Sequence, residues 1–149
     1  NMKNLISLEN TNNQLTNFCE RVLNKIGAKD HRKTCFMYVI VWNLEKICDN
    51  YKYICNFLVE ETKPKLSQET IKFYEKSNNL MREYYEIFYN FDIQKLSGWS
   101  EKRKKLVNDG QKIIKKADPT SRIIIHYLQN LIYQLADFSA STIAINQVD

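Results

Sequence analysis

Three glycines and two prolines in 149 residues leave little material for hairpins or glycine-rich loops, and that shortage alone favours helices. Histidine is scarcer still for chemistry. His31 and His126 stand far apart, and neither has a glutamate three residues before it, which nearly closes the route to a di-iron carboxylate bundle enzyme. There is no P-loop, no G-x-S-x-G, no H-E-x-x-H and no cysteine paired with a catalytic histidine, so catalysis has little support. The four cysteines, at 19, 35, 48 and 55, lack C-x-x-C spacing; they read as reduced, buried thiols of a cytoplasmic protein. No charged segment followed by a long apolar run opens the chain, and nothing suggests secretion.

What is present is ordinary for one globular domain: 44% hydrophobic and 26% charged residues, in a length that buries a core without staples. The net charge of +5 is uneven. From Glu101 to Asp118 there are seven basic residues (Lys102, Arg103, Lys104, Lys105, Lys112, Lys115, Lys116) against three acidic ones. Lys102 to Lys105 run consecutively around a helix instead of forming one stripe, so a solvated face is favoured over a nucleic-acid or membrane contact.

Periodicity predicts an all-α, up-down helical bundle of five helices. The first, about Asn4 to Ile26, repeats apolar residues at Leu5, Leu8, Leu15, Phe18, Val22 and Ile26, with a polar gap from Asn10 to Gln14 and a stop at Gly27. The second, about Arg32 to Glu61, carries one stripe through Phe36, Ile40, Leu44, Ile47, Tyr51, Ile54 and Leu58. Pro64 marks a break and Ser67 a cap for the third, about Gln68 to Tyr89. After a turn-like Asn90 to Gly98, with room for a short helical piece, a fourth spans about Ser100 to Lys116. Asp118 and Pro119 open the fifth, to about Ile145, which is nearly uncharged and suits a bundle centre or a subunit interface. Its polar residues, His126, Gln129, Asn130, Gln134 and Asp137, argue against a membrane span. Rows of tyrosine with Trp42, among them Tyr51, Tyr53, Tyr84 and Tyr85, read as core or interface.

On the second helix, Glu45 and Asp49 lie one turn apart on the same face. Two stacked carboxylates repel by a few tenths of a kcal/mol (roughly) and invite a metal ion or a basic partner unless a nearby cation such as Lys46 or Lys52 offsets them. A weak internal echo relates Leu44 to Cys55 and Ile132 to Ile143, each with an aspartate after an apolar residue in a long helix. Asp137, if buried, needs a basic, hydroxyl or metal partner.

The run Leu44-Glu45-Lys46-Ile47-Cys48-Asp49, with Asn50 to Ile54 after it, resembles the E-x-x-x-D signature of the PhoU family of phosphate-uptake regulators. The resemblance implies paired three-helix bundles: residues 1–91 would form the first, with the full signature, and 92–149 a second, degenerate or truncated one. There Tyr133 replaces the glutamate ahead of Asp137. Five helices against the family's six, and Asn1 ahead of Met2, lead us to expect that parts of a longer protein lie outside this chain.

The family likeness further implies action by protein binding and not catalysis: a partner such as a phosphate transporter's ATPase subunit or a signalling protein, contacted through Glu45, Asp49 and Lys52, with the fifth helix either buried or used to form a homodimer. A divalent metal or iron at Glu45, Asp49 and Asp137 is the corresponding cofactor expectation, though three carboxylates are too few for a multinuclear cluster. The alternative function is the effector or dimerisation domain of a transcription regulator whose AbrB-like DNA-binding domain lies outside this chain; nucleic acid would not bind this part. A metal-dependent enzyme is a third reading, which elemental analysis of the purified protein tests.

Overall fold

A computed structural model describes residues 2–61 and 65–147, the side chains of residues 2, 3 and 6 excepted. The break expected at Pro64 lies outside the described residues. Among the described residues there are five α-helices and no strands: α1 (Met2–Ile26), α2 (Thr34–Glu60), α3 (Gln68–Tyr89), α4 (Ile93–Ile114) and α5 (Pro119–Asn146), with one 3-10 turn, His31–Lys33, leading into α2. None of these helices is long and apolar enough to cross a membrane.

Local chemistry sets the ends. Gly27 follows α1 with φ of +81°, the left-handed conformation that releases a helix at little cost only to glycine. Ser67, Asp92 and Asp118 each accept a hydrogen bond from a first-turn amide of α3, α4 and α5. The Asp92 cap corrects the expected boundary of α4. The helix starts at Ile93 and runs through Gly98 without a break, because Asp92 takes both the Gln94 and Lys95 amides and Leu96 and Trp99 give the early turns a buried face.

The hub is α5. It packs against α2, α3 and α4, while α3 also packs against α4, and α1 lies along α2 on the outside. Ile125, Leu128, Leu131, Ile132 and Leu135 of α5 are fully buried, as expected for a helix placed at the bundle centre. Trp99 anchors α4 through its indole N–H, which donates to the Leu80 carbonyl of α3 at 2.9 Å. Tyr84 is buried beside Trp99 and Phe138, and its hydroxyl pairs with Thr142. Burial pushes the Tyr84 phenol up to about 12. Where α3, α4 and α5 converge there is no room for a side chain: a Cβ on Gly110 would lie 2.7 Å from the Phe73 ring and 2.8 Å from the Gln129 amide.

Two groupings differ from expectation. The third helix, assigned by the family likeness to a bundle of residues 1–91, has its substantial contacts with α4 and α5. Its buried face, Phe73, Leu80, Tyr84 and Ile87, is the apolar surface that α4 and α5 need. The apolar stripe of α1 is also turned outward: Leu5, Leu8, Leu15, Phe18 and Ile26 are all more than half exposed, whereas among the described side chains of α1 the buried ones are Glu9 and Thr16. Helix α1 docks on α2 by its polar side.

Candidate partner-binding face

Glu45 and Asp49 project from α2 where it borders α1, and each is already matched by a cation. Lys46 Nζ stands 3.5 Å from Glu45 Oε1 and 3.6 Å from Asp49 Oδ2; Lys52 Nζ stands 3.6 Å from Asp49 Oδ1 and 2.9 Å from Glu9 Oε1 of α1. The result is an alternating row, Glu45, Lys46, Asp49, Lys52, Glu9, in which two ammonium groups serve three carboxylates. Asn13 adds a hydrogen bond from its Nδ2 to Glu9 Oε1 at 2.5 Å. The hydrogen bond that Lys52 donates to Glu9 holds its ammonium above the usual lysine range against its partial desolvation, with the charges of Glu9 and Asp49 adding to it.

This row answers the demand that two stacked carboxylates make. The cations come from the same helix, spaced so that each lysine reaches an acid three residues away. The convergence of Glu45, Asp49 and Asp137 on one ion is not found. Asp137 is exposed on α5, and among the described residues no three His, Cys, Asp or Glu side chains gather in a way that could hold a metal ion. Being exposed, Asp137 needs no buried partner, and the residues present do not fit a resident metal. Lys52, expected to face a partner, is turned toward α1.

The outer side of α2 has a different character. Val39, Trp42, Lys46, Asp49 and Tyr53 recur at steps of three and four residues, which places them on one stripe. Trp42 is 46% exposed and Tyr53 44%. Lys46 Nζ lies 5.5 Å from the Trp42 ring centroid and Lys52 Nζ 5.9 Å from that of Tyr53. The ammonium groups therefore sit between carboxylate and aromatic face, an arrangement that fixes long side chains by cation–π attraction as well as charge. Tyr53 is braced from below by Tyr127 of α5, ring centroids 5.5 Å apart.

Chemically the stripe offers two large amphipathic rings and a charge row that is nearly self-neutralised. Such a surface gives up apolar area readily and keeps polar groups for orientation. The signature carboxylates were legible from the sequence, while Trp42 and Tyr53 were read only as members of aromatic rows. The available signal was the 39-42-46-49-53 rhythm, which runs beside the core stripe of the same helix without sharing a residue with it.

Other sequence candidates fall elsewhere. Of the cysteines expected to be buried, Cys19 and Cys35 are exposed; Cys48 is half-buried and Cys55 buried. Burial raises the Cys48 thiol above its ordinary value, and the negative charges of Asp49 and Glu9 raise it further. His31 and His126 are both exposed, the latter hydrogen-bonded to Asn130. On α4, Lys102 pairs with Glu83 and Lys104 with Glu101 on an open surface. A cavity of about 360 Å³ lies between α1, α2 and α3, walled by Leu5, Leu8, Tyr51, Ile54, Cys55 and Tyr74. Compared with models of known protein families, with curated proteins and with solved structures, the chain matches none.

Proposed function

We propose that this chain is a PhoU-like helical regulator of phosphate uptake that works in the cytoplasm by binding a protein partner, not by catalysis, through the outer stripe of α2. The observation that carries the reading is the pair Trp42 and Tyr53, held open on either side of the Glu45/Asp49 signature. Exposed tryptophan and tyrosine at the centre of a patch are the residue types that dominate protein–protein binding. Neutralisation of Glu45 and Asp49 within the helix lowers the desolvation penalty of covering them, which separates this surface from a bare acidic patch. The phosphate-uptake assignment rests on the E-x-x-x-D run alone.

Two measurements test the two halves separately. Calorimetry or pull-down with a phosphate transporter's ATPase subunit tests the partner class, and absence of binding removes it. For the face, Trp42→Ala is expected to weaken binding by about 2 kcal/mol, roughly thirtyfold. Unchanged affinity in Trp42→Ala and in the Glu45→Ala, Asp49→Ala double variant would remove the stripe from the proposal.

A further inference from the structure

The outward side of α1 carries a regular pattern that the bundle does not use. Leu5, Leu8, Asn12, Leu15, Cys19, Val22 and Ile26 follow one another at steps of 3, 4, 3, 4, 3 and 4 residues, the a and d positions of a heptad seam. Leu8 is 63% exposed, Leu15 59% and Ile26 68%; Phe18, beside the seam, is 65% exposed. The exposed leucines, Phe18 and Ile26 leave on the order of 500 Å² of apolar surface in water, near the top of what a monomer carries in one patch, and much of the ~800 Å² each partner contributes to a stable interface. In the chain itself α1 has substantial contact with α2 alone, through its polar side.

We propose that α1 is a dimerisation helix, and that its seam is covered by α1 of a second copy lying parallel to it. The pattern selects that occupant. A 3-4 repeat sustained over the 22 residues from Leu5 to Ile26 matches another helix with the same repeat, and in a parallel two-fold pair every layer meets its own kind: leucine on leucine at 5, 8 and 15, Val22 on Val22, Ile26 on Ile26. The one polar layer is Asn12. Its Nδ2 is buried within the chain itself, so this layer offers the second helix no amide donor and the seam rests on its apolar layers. The cavity bounded by Leu5 and Leu8 adds room beside the seam's first half for the flank of the second helix, over an apolar floor of Ile54 and Cys55. This surface is distinct from the α2 stripe and does not depend on it.

Sedimentation velocity and light scattering on the whole chain are expected to show a concentration-dependent dimer. Leu8→Glu with Leu15→Glu is expected to yield a monomer of unchanged helix content, since neither side chain is buried. A wild-type chain that stays monomeric, or a dimer that survives the double substitution, overturns the proposal. Orientation is read in a Cys35→Ser variant with a short bis-maleimide: the expected product joins Cys19 to Cys19 of the second copy, mapped by peptide mass spectrometry. A dimer that forms without that cross-link overturns the parallel arrangement.

Discussion

Lys52 of α2 closes an ion pair of 2.9 Å on Glu9 of α1, and Glu9 is only 5% exposed. Helix α1 is thus clamped to the bundle by a carboxylate that has left water. Replacing Lys52 with alanine strands that carboxylate, with Asn13 as its remaining donor. The expected loss is about 1–3 kcal/mol, below that of a fully buried pair because the lysine is itself partly solvated. Adding Glu9→Gln to Lys52→Ala is expected to restore most of it. Urea unfolding of the four chains of this double-mutant cycle checks both statements, and a purely additive cycle would show that the pair does not clamp α1.

Asp92 and Asp118 make the starts of α4 and α5 sensitive to acid. Amide hydrogen bonds, from Lys95 then Gln94 onto Asp92 and from Ser121 onto Asp118, hold both carboxyls below the ordinary value of 3.8. A depressed folded-state value means that the caps contribute fully above pH 3.8 and are lost as pH falls through the lower folded values. Amide exchange at Gln94, Lys95 and Ser121 is expected to quicken first as pH drops below that range. Asp92→Ala is expected to lower stability at neutral pH and to abolish the acid response at α4.

Two glycines of α4 predict opposite signs. A Cβ at Gly98 meets nothing within 4 Å, so Gly98→Ala on this exposed stretch is expected to raise stability by about 0.5–1 kcal/mol through the unfolded chain's lost freedom. At Gly110 the added carbon meets Phe73 and Gln129 well inside van der Waals contact, and Gly110→Ala is expected to lower stability by about 1–3 kcal/mol. Thermal melts of the two variants against the parent decide the matter; equal shifts would contradict the packing described at the α3, α4, α5 junction.

The thiols divide two and two. Cys19 and Cys35 are exposed, whereas Cys48 and Cys55 are covered and their thiols are raised above 9.0 by burial, so little thiolate forms at neutral pH. Brief alkylation of the native chain is expected to label Cys35, to label Cys19 where the chain is monomeric, and to spare Cys48 and Cys55, with all four labelled in urea. Rapid native labelling of Cys55 would mean that α2 does not stay closed against its neighbours.

Most of the architecture was legible because a helix is announced by local chemistry: Ser67 and Asp118 before their helices, Gly27 after α1, and a 3-4 apolar rhythm between. The start of α4 was missed because Gly98 suggested a turn, while the competing signal, Asp92 ahead of Leu96 and Trp99, depended on a buried face supplied by α3 and α5. At the site, Glu45 and Asp49 could be placed on one face from spacing alone. Their partners could be only half anticipated. Lys46 and Lys52 sit within one helix and were visible as possible cations, but the link from Lys52 to Glu9 crosses 43 residues of chain and exists only after α1 has folded back. The exposure of Asp137 likewise depends on which side of α5 the other helices cover.

The position of α5 has a consequence for the order in which the molecule assembles. The α1–α2 hairpin is local in sequence, yet Ile40, Ile47 and Ile54 of α2 bury their faces in a core whose other half comes from residues 119–146. The Asn50 amide finds its acceptor on Gln134, 84 residues later. Until that segment is made, the early hairpin shows water an isoleucine edge with no cover, so the nascent chain passes through an interval in which it is sticky. Folding of the whole bundle therefore waits on the arrival of a single helix, and residues 2–91 alone are expected to collapse without a cooperative transition.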